Sequence, residues 1–392
     1  MLNQPSHSVY LDFPGIYSSA GVGIDRLWQA ICAGPLSPKP LHGASEAWPQ
    51  REAYLVDRFD LSALRLDRKM LRTVTGQSSL ALYGAHLSLA QTDPSSRFDG
   101  SRCGLYLGLP TIDEEIPSWS ALEKAPTRLC PTDLSDLFLR ETPPLSGLTL
   151  LNSSACAHIS STFGLTGTMA AFSPFSDAGL QAVIEGALSL IEGENENVLV
   201  GAVSPTVSPV RILQYDHLLW QGPQRMGEGA AYVMLRKGQD EEKSARPVRI
   251  AGFWRTFGMT ETARVEALSS AIEQALAMAK IPPSAIDWIL ADSTWTQINH
   301  KAQMRAMEIC FENNQSCLPL YSAESVTGVM GPAQPMTHLL LALQGMRTGR
   351  KLLYGPHGAG LEEEMTGTQY VLVTACGAHG QFIAVILQGR YQ

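Results

Sequence analysis

The segment from Ser176 to Ser204 limits what this chain can fold into more than any other. Leu180, Val183, Ile184, Ala187, Leu188 and Ile191 recur at helical spacing, and Gln181, Glu185, Ser189 and Glu192 fall on the other face. Gly193 is placed to end that helix, and NVLVGAVS then reads as a buried strand. A strand without a polar face must be covered on both sides. Helix and buried strand in succession predict helices layered on a sheet, an α/β fold. AAYVMLRK (230–237), RIAGFWRTF (249–257) and DWILAD (287–292) read as further strands, and ARVEALSSAIEQALAMAK (263–280) as a helix. TQYVLVTACG (368–377) and GQFIAVILQG (380–389) read as two strands around a Gly-rich turn. The charged run KGQDEEKSARP (237–247) reads as the join between two halves, 1–240 and 241–392, and the similar order of elements suggests an internal repeat. Residues 34–50 and 142–147, rich in Pro, Gly and Ser, read as loops.

Composition narrows the function classes. At 392 residues, with 45% apolar and 17% charged side chains, the chain has the material for a large buried core, as one large or two fused domains. A formal charge of −8 argues against nucleic acid or an acidic membrane surface as partner. It also disfavours this chain, taken alone, as the main dock for an acidic carrier protein. The seven Cys (32, 103, 130, 156, 310, 317 and 376) are odd in number and contain no CxxC, which disfavours a disulfide framework or a zinc site. His158, His338, His357 and His379 form no ligand-spaced set, and the GAG of HGAG (357–360) is too short for a nucleotide loop, so neither metal nor cofactor is expected. No apolar run approaches the ~20 residues that span a bilayer. The opening MLNQPSHSVYLDFPG has no basic region followed by an apolar run, and the reading is a cytoplasmic protein without a membrane partner.

The stretch AFSPFSDAG (171–179) sets Ser176 at the mouth of the predicted helix. A Ser hydroxyl attacks only with an adjacent general base. Asp177 is the one neighbouring acid, and successive helical residues point about 100° apart. The flanks are not those of a GxSxG elbow, since position 174 is Pro and position 178 is Ala. Two readings follow: an N-cap, with Asp177 near the positive end of the helix dipole, or a nucleophile.

Several segments, in order and nearly end to end, resemble the β-ketoacyl synthases, condensing enzymes of the thiolase-like fold. VYLDFPGIYSSAGVGIDRLWQAICAG (9–34) is similar to their first strand, Gly-containing loop and helix. FDLSALRLDRKMLRTVTGQSSLALYGAHLSLA (59–90) is similar to the segment leading into a long helix. LLNSSACAHISSTFGLTG (150–167), with Asn152 and the Gly164 to Gly167 pattern, resembles the stretch before the nucleophile, and GEGAAYVML (227–235) a GEGAG-type turn and strand. The resemblance implies five layers, α-β-α-β-α, in two pseudo-repeated halves. The catalytic residues that it implies are replaced. Ser176 stands for the nucleophilic Cys, Asp292 for the first His, Val329 for the second His, Glu324 for the Lys and Gln303 for the Glu that pairs with it. Ala375 stands where an aromatic gate is expected in the loop ACGAHG (375–380). Lys301 or Arg305 is a candidate to neutralise Glu324, a pairing that sequence alone does not place.

The family's chemistry, as the resemblance implies it, needs a thiolate that takes an acyl group and two imidazoles that stabilise an enolate. A helix N-terminus can turn a thiol into a thiolate but does not do so for a hydroxyl. Val329 has no donor, and an ionised Asp292 would repel an enolate. No intact catalytic residue is therefore expected. The resemblance points to a chain length factor: a subunit without catalysis that pairs with an active ketosynthase and shapes its acyl tunnel in polyketide, aryl polyene or fatty-acid-like biosynthesis. It meets the acyl carrier protein through that complex. Phe172 and Phe175 fit the wall of such a tunnel, and GTMAAF (167–172) the strand that pairs across the dimer. The alternative is a Ser176-dependent acyltransferase or thioesterase acting on carrier-protein thioesters, for which His158 is the base to consider. A stand-alone acyl-binding homodimer is a third reading. For Asp292 the plain reading is a hydrogen-bonded carboxylate at a strand end. For Glu324 it is a solvated or locally paired charge, and for Cys156 and Cys376 buried small residues.

Overall fold

The computed structural model describes residues 8–41, 50–57, 59–64, 66–92, 99–111, 130–142, 144–216, 225–238, 246–292, 296–311, 320–354 and 359–390. Most of the join (239–245), residues 42–49, Cys317 and His357 lie outside the described residues.

Among the described residues, the main sheet takes from the first part of the chain β1 (Ser8–Ser18), to which the short strand Gly21–Val22 pairs, β2 (Cys103–Gly108), β3 (Met169–Phe172), β4 (Asn197–Val203) and β5 (Gly229–Gly238). They lie in the order β3-β2-β4-β5-β1, with β3, β2 and β4 parallel and β5 and β1 antiparallel to their neighbours. Five more follow: β6 (Val248–Phe257), β7 (Trp288–Leu290), β8 (Leu320–Tyr321), β9 (Thr368–Cys376) and β10 (Gln381–Arg390). Their order is β8-β7-β9-β10-β6, again with three parallel strands and then two antiparallel ones. Adding five to each number of the first set gives the second. The internal repeat is thus written in topology, and the sets join where β1 pairs with β6 at Val9↔Ile250 and Tyr10↔Arg249.

The helices supply the other layers. After α1 (Ile24–Ala33), α2 (Gly76–Leu89) and α3 (Ser153–Phe163) cover the outer face of the first set, closing a core with Leu80, Leu105, Ile159 and Tyr232. α4 (Asp177–Glu192) follows β3, as α7 (Ala333–Thr348) follows β8, and the two lie between the sets. α5 (Glu261–Ala279) and α6 (Gln297–Phe311) cover the outer face of the second set. The layers run α-β-α-β-α. In β9, Val371, Val373 and Ala375 face the central core while Leu372 and Cys376 face α5 and α6, so both faces of the strand are apolar because both are covered.

Two local expectations change. Ser189, assigned to the polar face of its helix, is buried and accepts a hydrogen bond from Asn195 Nδ2 at 2.5 Å. A helix lodged between two sheets has little solvent face, and the polar side chains it keeps find partners inside. In the segment read as a loop at 142–147, Ser146–Thr149 forms a helical turn.

The central helices approach closely enough to require glycine. A Cβ on Gly179 would lie 2.2 Å from the Pro332 carbonyl oxygen, where α7 begins. Both atoms would be held by backbone, so neither can yield cheaply. Gly179→Ala is expected to lower the unfolding free energy by ~2 kcal/mol or more, read from urea denaturation. An unchanged midpoint would show that the contact relaxes.

Candidate functional site

The residues of interest gather where the parallel strands give way to helices, the ends of such sheets at which ligands are commonly held. Ser176 is the N-cap residue of α4, so the sequence reading of its position holds, but its hydroxyl closes no cap bond and its side chain is fully buried. Asn152 fixes the approach to it. Its Nδ2 donates to the Pro110 carbonyl at 2.9 Å and to Ser173 Oγ at 3.0 Å, tying the chain after β3 to the end of β2.

Asp177 lies on the first turn of α4, as expected. Burial pushes its carboxyl up to about 6, so removal from water outweighs the favourable end of the helix dipole. Asp292 follows β7, is 2% exposed, and accepts from the Cys376 backbone N–H at 2.9 Å through Oδ2. It is the hydrogen-bonded carboxylate at a strand end that the plain reading expects. Cys376, fully buried, places its Sγ 3.6 Å from Gln303 Oε1. Burial first, then the Asp292 and Asp177 charges, hold its thiol well above the usual range. That thiol is no nucleophile.

Glu324 corrects the expectation of a solvated charge. It is largely withdrawn from water, accepts from Ser322 Oγ at 3.0 Å, and burial raises its carboxyl to about 7. Lys301 and Arg305 do not neutralise it: they pair with Glu261 at 3.7 Å and Glu308 at 2.8 Å. Glu324 and Gln303 thus turn to different partners. The neighbouring Ala323 N–H donates to Nε2 of the fully buried His338 at 3.3 Å, and burial lowers that imidazole to about 3. It stays neutral and serves the loop as an acceptor.

Val329 packs, as expected. With Phe175, Val207, Ile212, Tyr215 and Met226 it forms an apolar cluster over this end of the molecule. Its N–H donates to the Arg225 carbonyl at 2.8 Å, and its own carbonyl accepts from Gly227 N–H at 2.9 Å. Side chains occupy the space beside the Val329 position. Phe172 closes β3 and packs against the central core. Ala375 lies inside β9 with its side chain in that core rather than at the rim of the Gly-rich loop. The loop side chain that meets Phe175 is His379, its ring centroid 5.0 Å away and nearly perpendicular. His158, the base considered for Ser176, bonds instead to Thr73 Oγ1 at 3.0 Å, on α3.

Arg264 was not singled out in the sequence. It is 7% exposed on the first turn of α5, where its charge opposes the helix dipole. Nη1 donates to Asn299 Oδ1 at 2.5 Å, Nε to the Met259 carbonyl at 3.2 Å and Nη2 to the Ala378 carbonyl at 3.3 Å. A cation on the first turn of a predicted helix is the part of this signal that sequence could have offered; its burial is not.

Chemically, Ser176, Asp292 and Val329 offer a hydroxyl, a carboxyl and an isopropyl group. Among the described residues no group of three or more His, Cys, Asp or Glu could hold a metal ion. No helix among them is long and apolar enough to cross a membrane.

Comparison with known proteins places this architecture. The "Beta-ketoacyl synthase, N-terminal domain" matches residues 15–241 and the "Beta-ketoacyl synthase, C-terminal domain" matches residues 252–351. The chain belongs to the β-ketoacyl synthase family, and its fold is thiolase-like. A relative in Streptomyces halstedii, named as a polyketide beta-ketoacyl synthase 1, is 23% identical over 80% of this chain and 79% of its own length. The solved ishigamide ketosynthase/chain length factor superposes with a TM-score of 0.71 at 14% identity, over 97% of this chain and 99% of its own. A type II polyketide synthase ketosynthase in complex with its acyl-carrier protein gives 0.74 at 18% identity, over 98% and 100%.

Proposed function

We propose that this chain is the non-catalytic, chain-length-factor-type partner of an active β-ketoacyl synthase, in polyketide, aryl polyene or fatty-acid-like biosynthesis. One observation carries the reading: a ketosynthase-family chain has Ser176, Asp292 and Val329 at the positions that the resemblance gives to Cys and two His, with apolar side chains packed beside Val329. Ser, Asp and Val together supply neither a sulfur nucleophile nor a donor array for an enolate. The halves 1–240 and 241–392 then act as a scaffold for pairing, with the active partner providing the chemistry and the acyl carrier protein docking on the complex. The solved ketosynthase/chain length factor and the ketosynthase with its carrier protein support the choice of partners.

The surface supports pairing. Among the described residues β3 pairs with β2 alone, and Met169 and Ala171 on it are exposed. Leu145, Leu148 and Leu151 nearby in the chain are 40%, 48% and 52% exposed. An unpaired apolar edge is an aggregation liability unless a second chain covers it. Expressed alone the chain should self-associate, and co-expression with an active ketosynthase should give a stable heterodimer.

Ser176→Ala tests the reading. In the reconstituted complex, product formation should stay within about twofold of the parent, because a buried hydroxyl with no chemical role is lost. A fall of about a hundredfold or more would instead make Ser176 the nucleophile of an acyltransferase or thioesterase.

A further inference from the structure

Asn195 lies in the turn between α4 and β4 and is 2% exposed. Its side chain fills a slot lined by two glycines: a Cβ on Gly167 would lie 2.3 Å from Asn195 Oδ1, and one on Gly104 2.8 Å from Nδ2. From that slot the amide grips Thr168, the residue before β3. Oδ1 accepts from the Thr168 backbone N–H at 3.2 Å. Nδ2 donates to Thr168 Oγ1 and, at 2.5 Å, to Ser189 Oγ on α4. Tyr106 on β2 bonds the same Thr168 hydroxyl at 2.9 Å. The oxygen and both hydrogens of the buried amide are thus used.

The strand that follows carries little to fix its own alternation. It is four residues long, MAAF, paired with β2 from Leu105↔Met169 to Gly108↔Phe172. Met169 and Ala171 are exposed, while Ala170 and Phe172 pack against the central core. Side chains alternate along a strand, so a Thr168 held toward α4 sets Ala170 and Phe172 inward and Met169 and Ala171 outward. A slip of one residue would exchange the two sets. We propose that Asn195 is the positioning residue of the pairing strand: by gripping Thr168 it sets the alternation of β3 and so presents Met169 and Ala171 to the second chain. This rests on the reading that β3 meets the active ketosynthase. The far end of the strand is tied separately, by Asn152 through Ser173 Oγ, so loss of the Asn195 grip frees the beginning of β3 first.

The test uses two reporter thiols, M169C and A170C, introduced one at a time in the full chain and diluted until size-exclusion chromatography shows single chains. Pulsed alkylation read by peptide mass spectrometry compares each with the native Cys103, fully buried on β2. In the parent, M169C should label about tenfold or more faster than A170C. Adding N195A should bring the two rates within about twofold while Cys103 stays slow, because the backbone and hydroxyl of Thr168 lose their partner. T168V, which removes one of the two grips, should lie between, and T168S should match the parent. Co-purification should show N195A weakening the pairing with the active ketosynthase about tenfold or more. An unchanged ratio of M169C to A170C labelling would overturn the proposal, as would a change that appears only when Cys103 becomes reactive. T168V keeps it testable should N195A fail to fold. A lost difference with undiminished pairing would support the grip and overturn the reading of β3 as the strand that meets the ketosynthase.

Discussion

Glu324→Gln is expected to raise the unfolding free energy by about 2–3 kcal/mol at pH 8 and by almost nothing at pH 4. The cause is burial, which lifts the Glu324 carboxyl from 4.5 to about 7. A shift of that size corresponds to ~3 kcal/mol at about 1.4 kcal/mol per unit, and partial access to water reduces it. The folded chain binds the proton more tightly than the unfolded one, so between pH 4.5 and about 7 stability falls as pH rises. Above that window the charged form is present in both states and the whole penalty remains. An amide removes the ionisation and keeps an oxygen for Ser322 Oγ, so the variant should escape the loss. Asp177→Asn should behave alike over a lower window, between 3.8 and about 6. Urea midpoints across pH 4–8 measure both. A Glu324→Gln gain that is the same at pH 4 and pH 8 would show that ionisation is not the source.

Met169→Asp combined with Leu148→Asp is expected to abolish stable pairing, weakening it by about a hundredfold or more. Both native side chains are about half exposed, at 50% and 48%: Met169 lies on β3, the last strand of its sheet order among the described residues, and Leu148 on the Ser146–Thr149 turn. Two carboxylates placed under a partner chain must be desolvated there without a cation, and a hundredfold loss corresponds to only ~2.7 kcal/mol, well below that cost. Folding should be nearly untouched, because both positions face solvent in the isolated chain. Co-purification with the active ketosynthase and size-exclusion chromatography report the result. Undiminished pairing would mean that another surface makes the contact.

The layered fold was legible because it rests on patterning. The 176–204 helix and strand, the strands at 230–237 and 249–257, and the last two strands all lie where periodicity placed them. Topology was legible only as a repeated order, since neither the pairing of β1 with β6 nor the close approach at Gly179 leaves a local signal. Of the site residues carried over from the family resemblance, Asp292 and Gln303 are brought together through Cys376. Their environments were less legible. Glu324 read as a solvated or locally paired charge, and its withdrawal from water, like that of Asp177, has no local signal in the sequence. Ala375 lies in the strand that the 368–377 pattern predicts, with its side chain in the core, and the loop side chain that meets Phe175 is His379. Arg264 escaped notice because its partners, Met259, Asn299 and Ala378, are neighbours only in the folded chain.

Whether this polypeptide ever carries an acyl group is decided by intact-mass spectrometry of both subunits, quenched during turnover with acyl-carrier-protein thioesters. The acyl mass should be found on the active ketosynthase alone, with this chain at its unmodified mass throughout. An acyl adduct on this chain that disappears in the Ser176→Ala variant would contradict the account.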